Sequence, residues 1–265
     1  MIKLYKSVFK KIILKIYFFL LNNGIDAKYF FSLYYYPRYL KELYKFIKLG
    51  GTVTHTFKVL TDYHDQAGSI KGQYFHQDLL IAKFIYLNKP VRHIDIGSRI
   101  DGFVAHVSTF RPIEIMDIRN LKKSEHNNIK FIKKDLMDTK NIEKRITDSV
   151  SCLHAIEHFG LGRYGDDINP NGHIIGFNNI VGMLKISGIL YISFPIGKKN
   201  ETYFNAHRIF HPKDIFNWSY NKNDLLLLRF DYVDDNGFLK TNINLTKHKF
   251  NVTNGCGIYT FKKIN

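Results

Sequence analysis

The stretch VRHIDIGSRIDGF, residues 91–103, followed by PIEIMDIR, residues 112–119, constrains the fold more than any other part of the chain. An apolar run ends in an acid and a glycine, Asp95 and Gly97. A second apolar run ends in another acid, Asp117, 22 positions after Asp95. Strand, tight glycine turn, helix, strand with an acid at its tip is the first half of a nucleotide-binding βαβ unit. There the acid can grip a ribose diol and the glycine lets backbone approach a ligand. The pattern predicts a Rossmann-like domain for an adenosine-containing cofactor.

The alternation continues downstream. Strands are expected over 91–96, 113–117, 129–133, 149–154, 189–194, 225–233 and 257–262, and helices over 78–87, 102–110, 140–145, 174–185 and 212–218. Strand–helix alternation through the fifth strand predicts a mostly parallel sheet with helices on both faces. No helix separates the last two strands, and Asn236-Gly237 marks a turn, so they are expected to pair antiparallel. The α/β domain is placed at residues 51–265.

Residues 1–50 read as a basic, amphipathic helical segment. From Lys3 to Leu21, the apolar residues Tyr5, Val8, Phe9, Ile12, Ile16 and Phe19 share one helical face, with lysines mostly on the other. The longest uncharged run there, residues 16–25, is short of the roughly 20 apolar residues of a membrane span. No small-residue cleavage site follows it. The apolar face packs on the main domain, or else the helix lies on an anionic bilayer. A second helix is expected over 39–49, before Gly50-Gly51. The net charge of +16 is carried by scattered rather than clustered lysines, which argues against a nucleic-acid face. Two cysteines, Cys152 and Cys256, make no disulfide framework, so the expected setting is cytoplasmic, with peripheral contact to the inner membrane face as the further option.

Three cofactors fit the first loop unequally. NAD requires a glycine where the register puts Arg99, and a P-loop requires Gly-Lys-Ser/Thr, which Gly197-Lys198 does not continue. S-adenosylmethionine has no pyrophosphate to cradle and asks for an acid near the ends of the first three strands. Asp95, Gly97, Asp117 and Asp135 fit. Asp135 would accept from the adenine amino group and the backbone of Leu136 would meet the ring.

The fourth strand ends in HAIEHF, placing His154, Glu157 and His158 where an acceptor would meet the cofactor. A hydroxyl acceptor needs a base near neutral pH, which suits histidine. The same string reads H-x-x-E-H, a zinc-peptidase motif that requires a helix rather than a strand end. His173, His207 and His211 lie in loops that could converge on the same rim as a metal site. Residues 160–173 form a long glycine-rich loop, with Arg163, Tyr164, Asp166 and Asp167, of the kind that makes lids. Tyr164 could stack on a sugar ring and the aspartates bind its hydroxyls. Asn205, His207 and Arg208 follow the fifth strand at the same sheet edge, where Arg208 could hold a phosphate.

The chain resembles class I S-adenosylmethionine-dependent methyltransferases over about residues 75–265. More closely, it resembles the bacterial "domain of unknown function 268" family. The segments that carry this are YFHQDLLIA from Tyr74, HIDIGSRIDGFVAH from His93, LHAIEHFGLGRYGD from Leu153 and FNAHRIFHP from Phe204. The resemblance implies a methyltransferase-like enzyme using S-adenosylmethionine. Its first loop departs from that pattern at Arg99 and Asp101, which leaves Arg99 to meet the methionine carboxylate. The expected acceptor is small and polar, such as a sugar or sugar nucleotide in surface-glycan biosynthesis, and no nucleic acid. Two rival readings stand beside it: a non-catalytic nucleotide-sugar-binding protein and a histidine-cluster metal hydrolase.

Overall fold

The computed structural model describes residues 16–265 except 18, 22, 27, 141 and 222. The helix expected over 3–21 lies largely outside them; residues 16, 17 and 19–21 are helical. The chain divides into two compact units, Met1–Ser69 and Ile70–Asn265.

The first unit contains α1 (Lys28–Ser32) and α2 (Tyr36–Lys48). Pro37 falls in the first turn of α2, where a missing N–H breaks no helical bond. Arg38 and Glu42, one turn apart, pair at 2.8 Å, and the Tyr63 hydroxyl donates to Glu42 at 2.6 Å. The Arg38 guanidinium also lies 4.3 Å from the Tyr63 ring centre. These contacts tie Tyr63 to α2. Among the described residues no helix is long and apolar enough to cross a membrane.

The second unit has a methyltransferase-like Rossmann fold. Helix α3 (Gln73–Asn88) precedes β1 (His93–Ile96), α4 (Ala105–Ser108), β2 (Ile113–Asp117), β3 (Ile129–Lys133), β4 (Thr147–Leu153), α5 (Gly172–Met183) and β5 (Leu184–Ile196). A hairpin of β6 (Glu201–Tyr203) and β7 (His207–Ile209) follows, then β8 (Leu225–Val233), β9 (Leu239–Lys240) and β10 (Gly255–Lys263). The main sheet runs β3-β2-β1-β4-β5-β10-β8-β9. The first five strands pair in parallel, and β10 inserts antiparallel between β5 and β8.

Two apolar clusters cover the sheet's faces. Ile81 and Ile85 of α3 pack with Phe103, Ile113 and Ile115 on one face. Phe177 and Ile180 of α5 pack with Ile94, Val150 and Ile192 on the other. Burying each of these large side chains stabilises the fold by roughly 1.5–3 kcal/mol. Period-two alternation along β1 sends Ile94 and Ile96 to the α5 face and His93 and Asp95 the other way.

The helix expected over 140–145 is absent from the described residues. The described residues there are irregular, with Arg145 at φ +54°, and the Arg145 and Ile146 N–H groups donate to the carbonyls of Gly182 and Met183, at 2.9 and 2.8 Å, which ties the segment to the end of α5. The helix expected over 212–218 is a single 3-10 turn, Asp214–Asn217.

Candidate functional site

A cleft opens at the carboxyl ends of β1, β2 and β3. Ile96, Gly97, Met116, Asp117, Asp135 and Leu136 line it, and Met137, His154, His158 and Phe159 close its far side. Gly97 has φ +66°, and a Cβ there would lie 3.0 Å from that of Ala155. Backbone conformation and close approach both demand glycine. Asp135 accepts the Met137 N–H through Oδ1 at 2.8 Å. Its Oδ2 has no hydrogen-bond partner among the described residues. The Leu136 carbonyl is anchored by the Asn179 amide at 2.7 Å.

Asp117 lies at this wall with its carboxylate engaged. The Arg119 guanidinium reaches Oδ2 at 2.5 Å and the Arg119 backbone N–H reaches Oδ1 at 2.8 Å. Arg119 was not singled out from the sequence. The signal was there: in D-I-R the acid and the base share one face of an extended chain.

Asp95 does not line the cleft, contrary to expectation. It is fully buried under the first loop, accepting from the Ser98 hydroxyl and N–H at 2.7 and 3.1 Å and from the Ser151 hydroxyl at 2.5 Å. Burial pushes its carboxyl up to about 6, the three bonds opposing. The chain of bonds continues to His93, whose Nε2 and Nδ1 meet Ser151 and Ser149 at 3.1 and 2.8 Å. Burial lowers the His93 pKa to about 3, so this imidazole is neutral. Asp95 thus shapes the loop. Arg99 also lies outside the first cleft: it pairs with Asp101 at 3.0 Å and faces the Tyr74 ring at 5.3 Å.

The structure brings His154, Glu157 and His158 together. His154 directly follows β4 with φ +51°, a left-handed conformation that costs a non-glycine residue about 1–3 kcal/mol. Its Nδ1 donates to Glu157 Oε1 at 3.0 Å, and Glu157 is buried. His154 Nε2 and Glu157 Oε2 are buried without a partner. Burial opposes a charge on His154. The neighbouring Cys256 and Glu157 outweigh burial and hold its pKa well above the ordinary 6.5. His158 bonds the Ala206 carbonyl through Nδ1 at 2.6 Å, so Nδ1 carries the proton. Burial keeps its pKa low. The H-x-x-E-H string occupies a strand end and a 3-10 turn, not the helix a zinc peptidase needs. His173 packs among Phe210 and Trp218 at 5.2 and 5.3 Å, so it does not join His207 and His211. Among the described residues no group of three or more His, Cys, Asp or Glu side chains could hold a metal.

The loop after His158 is ordered from within. Asp166 accepts N–H bonds from Gly160, Gly162 and Tyr164, at 2.8, 3.2 and 3.1 Å, so its carboxylate organises the loop instead of waiting for sugar hydroxyls. A Cβ on Gly160 would fall 2.0 Å from the Asn169 carbonyl oxygen. Arg208 corrects another expectation. It is buried, and its guanidinium donates to the carbonyls of Phe159, Pro170, Glu157 and Asn169, at 2.6, 3.2, 3.4 and 3.5 Å. It clamps both ends of the loop and has no face toward a phosphate. Asn205, at φ +61°, forms the exposed turn of the β6–β7 hairpin and lines neither cleft.

A second, more polar cleft adjoins the first and shares Gly97, Arg119, His154, His158 and Tyr164 with it. Gln73, Tyr74, Arg99, Glu157, Arg163 and His207 complete its wall with Pro195 and Asn254. Tyr74 lies 4.9 Å from the His154 ring. Its position at the start of α3 gave no sign of a site, because only the fold brings that end over β4.

The model of a family described as "Caenorhabditis protein of unknown function, DUF268" matches residues 107–238. That description does not support the bacterial origin expected from the sequence. No curated protein matches the chain. Among solved structures, the 1,6-didemethyltoxoflavin-N1-methyltransferase of Burkholderia thailandensis, with bound 1,6-didemethyltoxoflavin and S-adenosylhomocysteine, is similar. It has 11% identity and a TM-score of 0.51, over 71% of this chain and 79% of that one. The [4+2]-cyclase SpnF is similar at 13% identity and a TM-score of 0.53, over 82% and 90%. Such distant likenesses establish the fold. One neighbour is a methyltransferase and the other a cyclase, so activity has to be argued from the site.

Proposed function

We propose that the protein is an S-adenosylmethionine-dependent methyltransferase acting on a hydroxyl of a small polar acceptor. The observation that carries this is the first cleft. It is mostly apolar, it lies at the ends of three parallel strands, and it carries Gly97, Asp117 and Asp135 on its walls. An adenosine would be held by these acceptors: Asp117 would take the ribose hydroxyls once Arg119 turns off its carboxylate, Asp135 the adenine amino group, and Met116, Leu136 and Phe159 would flank the ring. When bound, S-adenosylmethionine would supply an electrophilic methyl group. The chain's own part lies next door. Glu157 fixes the Nδ1–H tautomer of His154, which leaves Nε2 to take the proton of an acceptor hydroxyl from the second cleft. Against its burial, Cys256 and Glu157 raise the His154 pKa, so the neutral form of His154 predominates only on the alkaline side of an ordinary histidine.

A sugar hydroxyl suits this cleft, since its wall is polar and His154 offers an acceptor. A sugar of surface-glycan assembly is therefore the acceptor class to try first. Calorimetry with S-adenosylhomocysteine, NAD and a UDP-sugar tests the reading. Saturable binding of S-adenosylhomocysteine and none of NAD is expected, and binding of the UDP-sugar without S-adenosylhomocysteine binding would favour a nucleotide-sugar-binding protein.

A further inference from the structure

The second cleft is unevenly charged. Arg99, Arg119 and Arg163 line it, together with His154, His158 and His207, against the single carboxylate of Glu157. Arg99 and Arg119 have their own carboxylates, Asp101 and Asp117. Arg163 has none within ion-pair distance among the described residues; its guanidinium donates to the Ala206 carbonyl at 3.0 Å. Arg119 and Arg163 both approach the Tyr164 ring, at 4.5 and 5.2 Å, so two like charges converge on one side chain. Burial lowers the pKa of His158 and of His207, and the nearby Arg163 charge lowers both further. His154 Nε2 and Glu157 Oε2, buried and unpartnered, belong to the same cleft. The unpartnered acceptors call for a hydroxyl on the ligand, and the Arg163 charge without a carboxylate calls for a negative end on it.

We propose that the acceptor carries an anionic substituent, a phosphate or a carboxylate, seated against Arg163 beside His158 and His207. The inference rests on the reading of this cleft as the acceptor site. The guanidinium suits the task because its planar fork can give two parallel N–H bonds to either group. Arg208, which the sequence suggested for this role, is sealed in the loop clamp, and the role passes to the loop's exposed arginine.

The test is an NMR titration of the His158 and His207 ring resonances in the full-length protein, with inorganic phosphate and separately with acetate. S-adenosylhomocysteine affinity is measured on the same samples. Saturable shifts are expected, with the apparent pKa of both rings rising as the anion offsets Arg163. Arg163→Gln is expected to weaken the anion roughly tenfold or more, the loss typical of a charge-assisted hydrogen bond. Arg163→Lys keeps part of the affinity, and neither variant changes S-adenosylhomocysteine binding. Preference for phosphate over acetate, or the reverse, identifies the substituent. Shifts that do not saturate, or equal anion affinity in Arg163→Gln, overturn the proposal. Loss of the anion site with cofactor binding intact removes this inference alone. An anion site without cofactor binding removes the methyltransferase reading instead.

Discussion

Two buried histidine–carboxylate systems lie on neighbouring strands, and they have opposite fates. On β1, His93 and Asp95 are closed off: Ser98, Ser149 and Ser151 supply hydrogen bonds to both side chains, and neither lines a cleft. At the end of β4, His154 and Glu157 bond each other and leave one atom apiece without a partner, in the wall of a cleft. The same residue types do structural work in the first place and present chemistry in the second. Buried polar groups are nearly always satisfied, so an unsatisfied pair at a strained strand end is the informative one.

The sharpest way to break this comparison is to remove each histidine system in turn. His154→Ala should lower turnover by roughly 10²–10⁴-fold, the usual contribution of a positioned base, while S-adenosylhomocysteine still binds. The acidic limb of the pH–rate profile should disappear with it. In the wild type that limb should lie above the ordinary histidine value of 6.5, because the His154 pKa is raised and the base form appears only as pH rises through it. Glu157→Gln should move the limb to lower pH. Full turnover in His154→Ala would pass the role of base to His158 or His207.

A smaller effect is expected on β1. Ser151→Ala removes a donor from Asp95 and a partner from His93, leaving buried polar atoms less satisfied, at a cost of about 1–3 kcal/mol in unfolding free energy. Denaturant melts should show that loss with little change in cofactor affinity. If Ser151→Ala abolished S-adenosylhomocysteine binding at unchanged stability, the first network would be part of the ligand site and the contrast would fail.

Much of the fold was legible because it rests on local periodicity. The strands 113–117, 129–133 and 225–233 match the sequence pattern residue for residue. The stretch 140–145 misled because charged residues with good helix propensity stand there without an apolar helical face, and the end of α5 captures the backbone instead. The position of β10 between β5 and β8 is a matter of long-range pairing that no local pattern encodes. The site divides the same way. That Asp117, Asp135, His154 and His158 gather at one sheet edge follows from strand ends. Which polar residues are already engaged does not: Arg208 meets carbonyls that lie between 38 and 51 residues earlier in the chain. Asp166 was misread for the opposite reason, since its partners are so close that a loop-internal role competes with binding.

The central claim is that the cleft at the ends of β1, β2 and β3 takes an adenosine and presents it to His154. A crystal structure of the protein with S-adenosylhomocysteine tests it most directly. The account predicts the ribose on Asp117, the adenine between Asp135 and Leu136, and Arg119 turned off the Asp117 carboxylate to admit it. S-adenosylhomocysteine bound elsewhere, with the Asp117–Arg119 pair intact and this cleft empty, would contradict it.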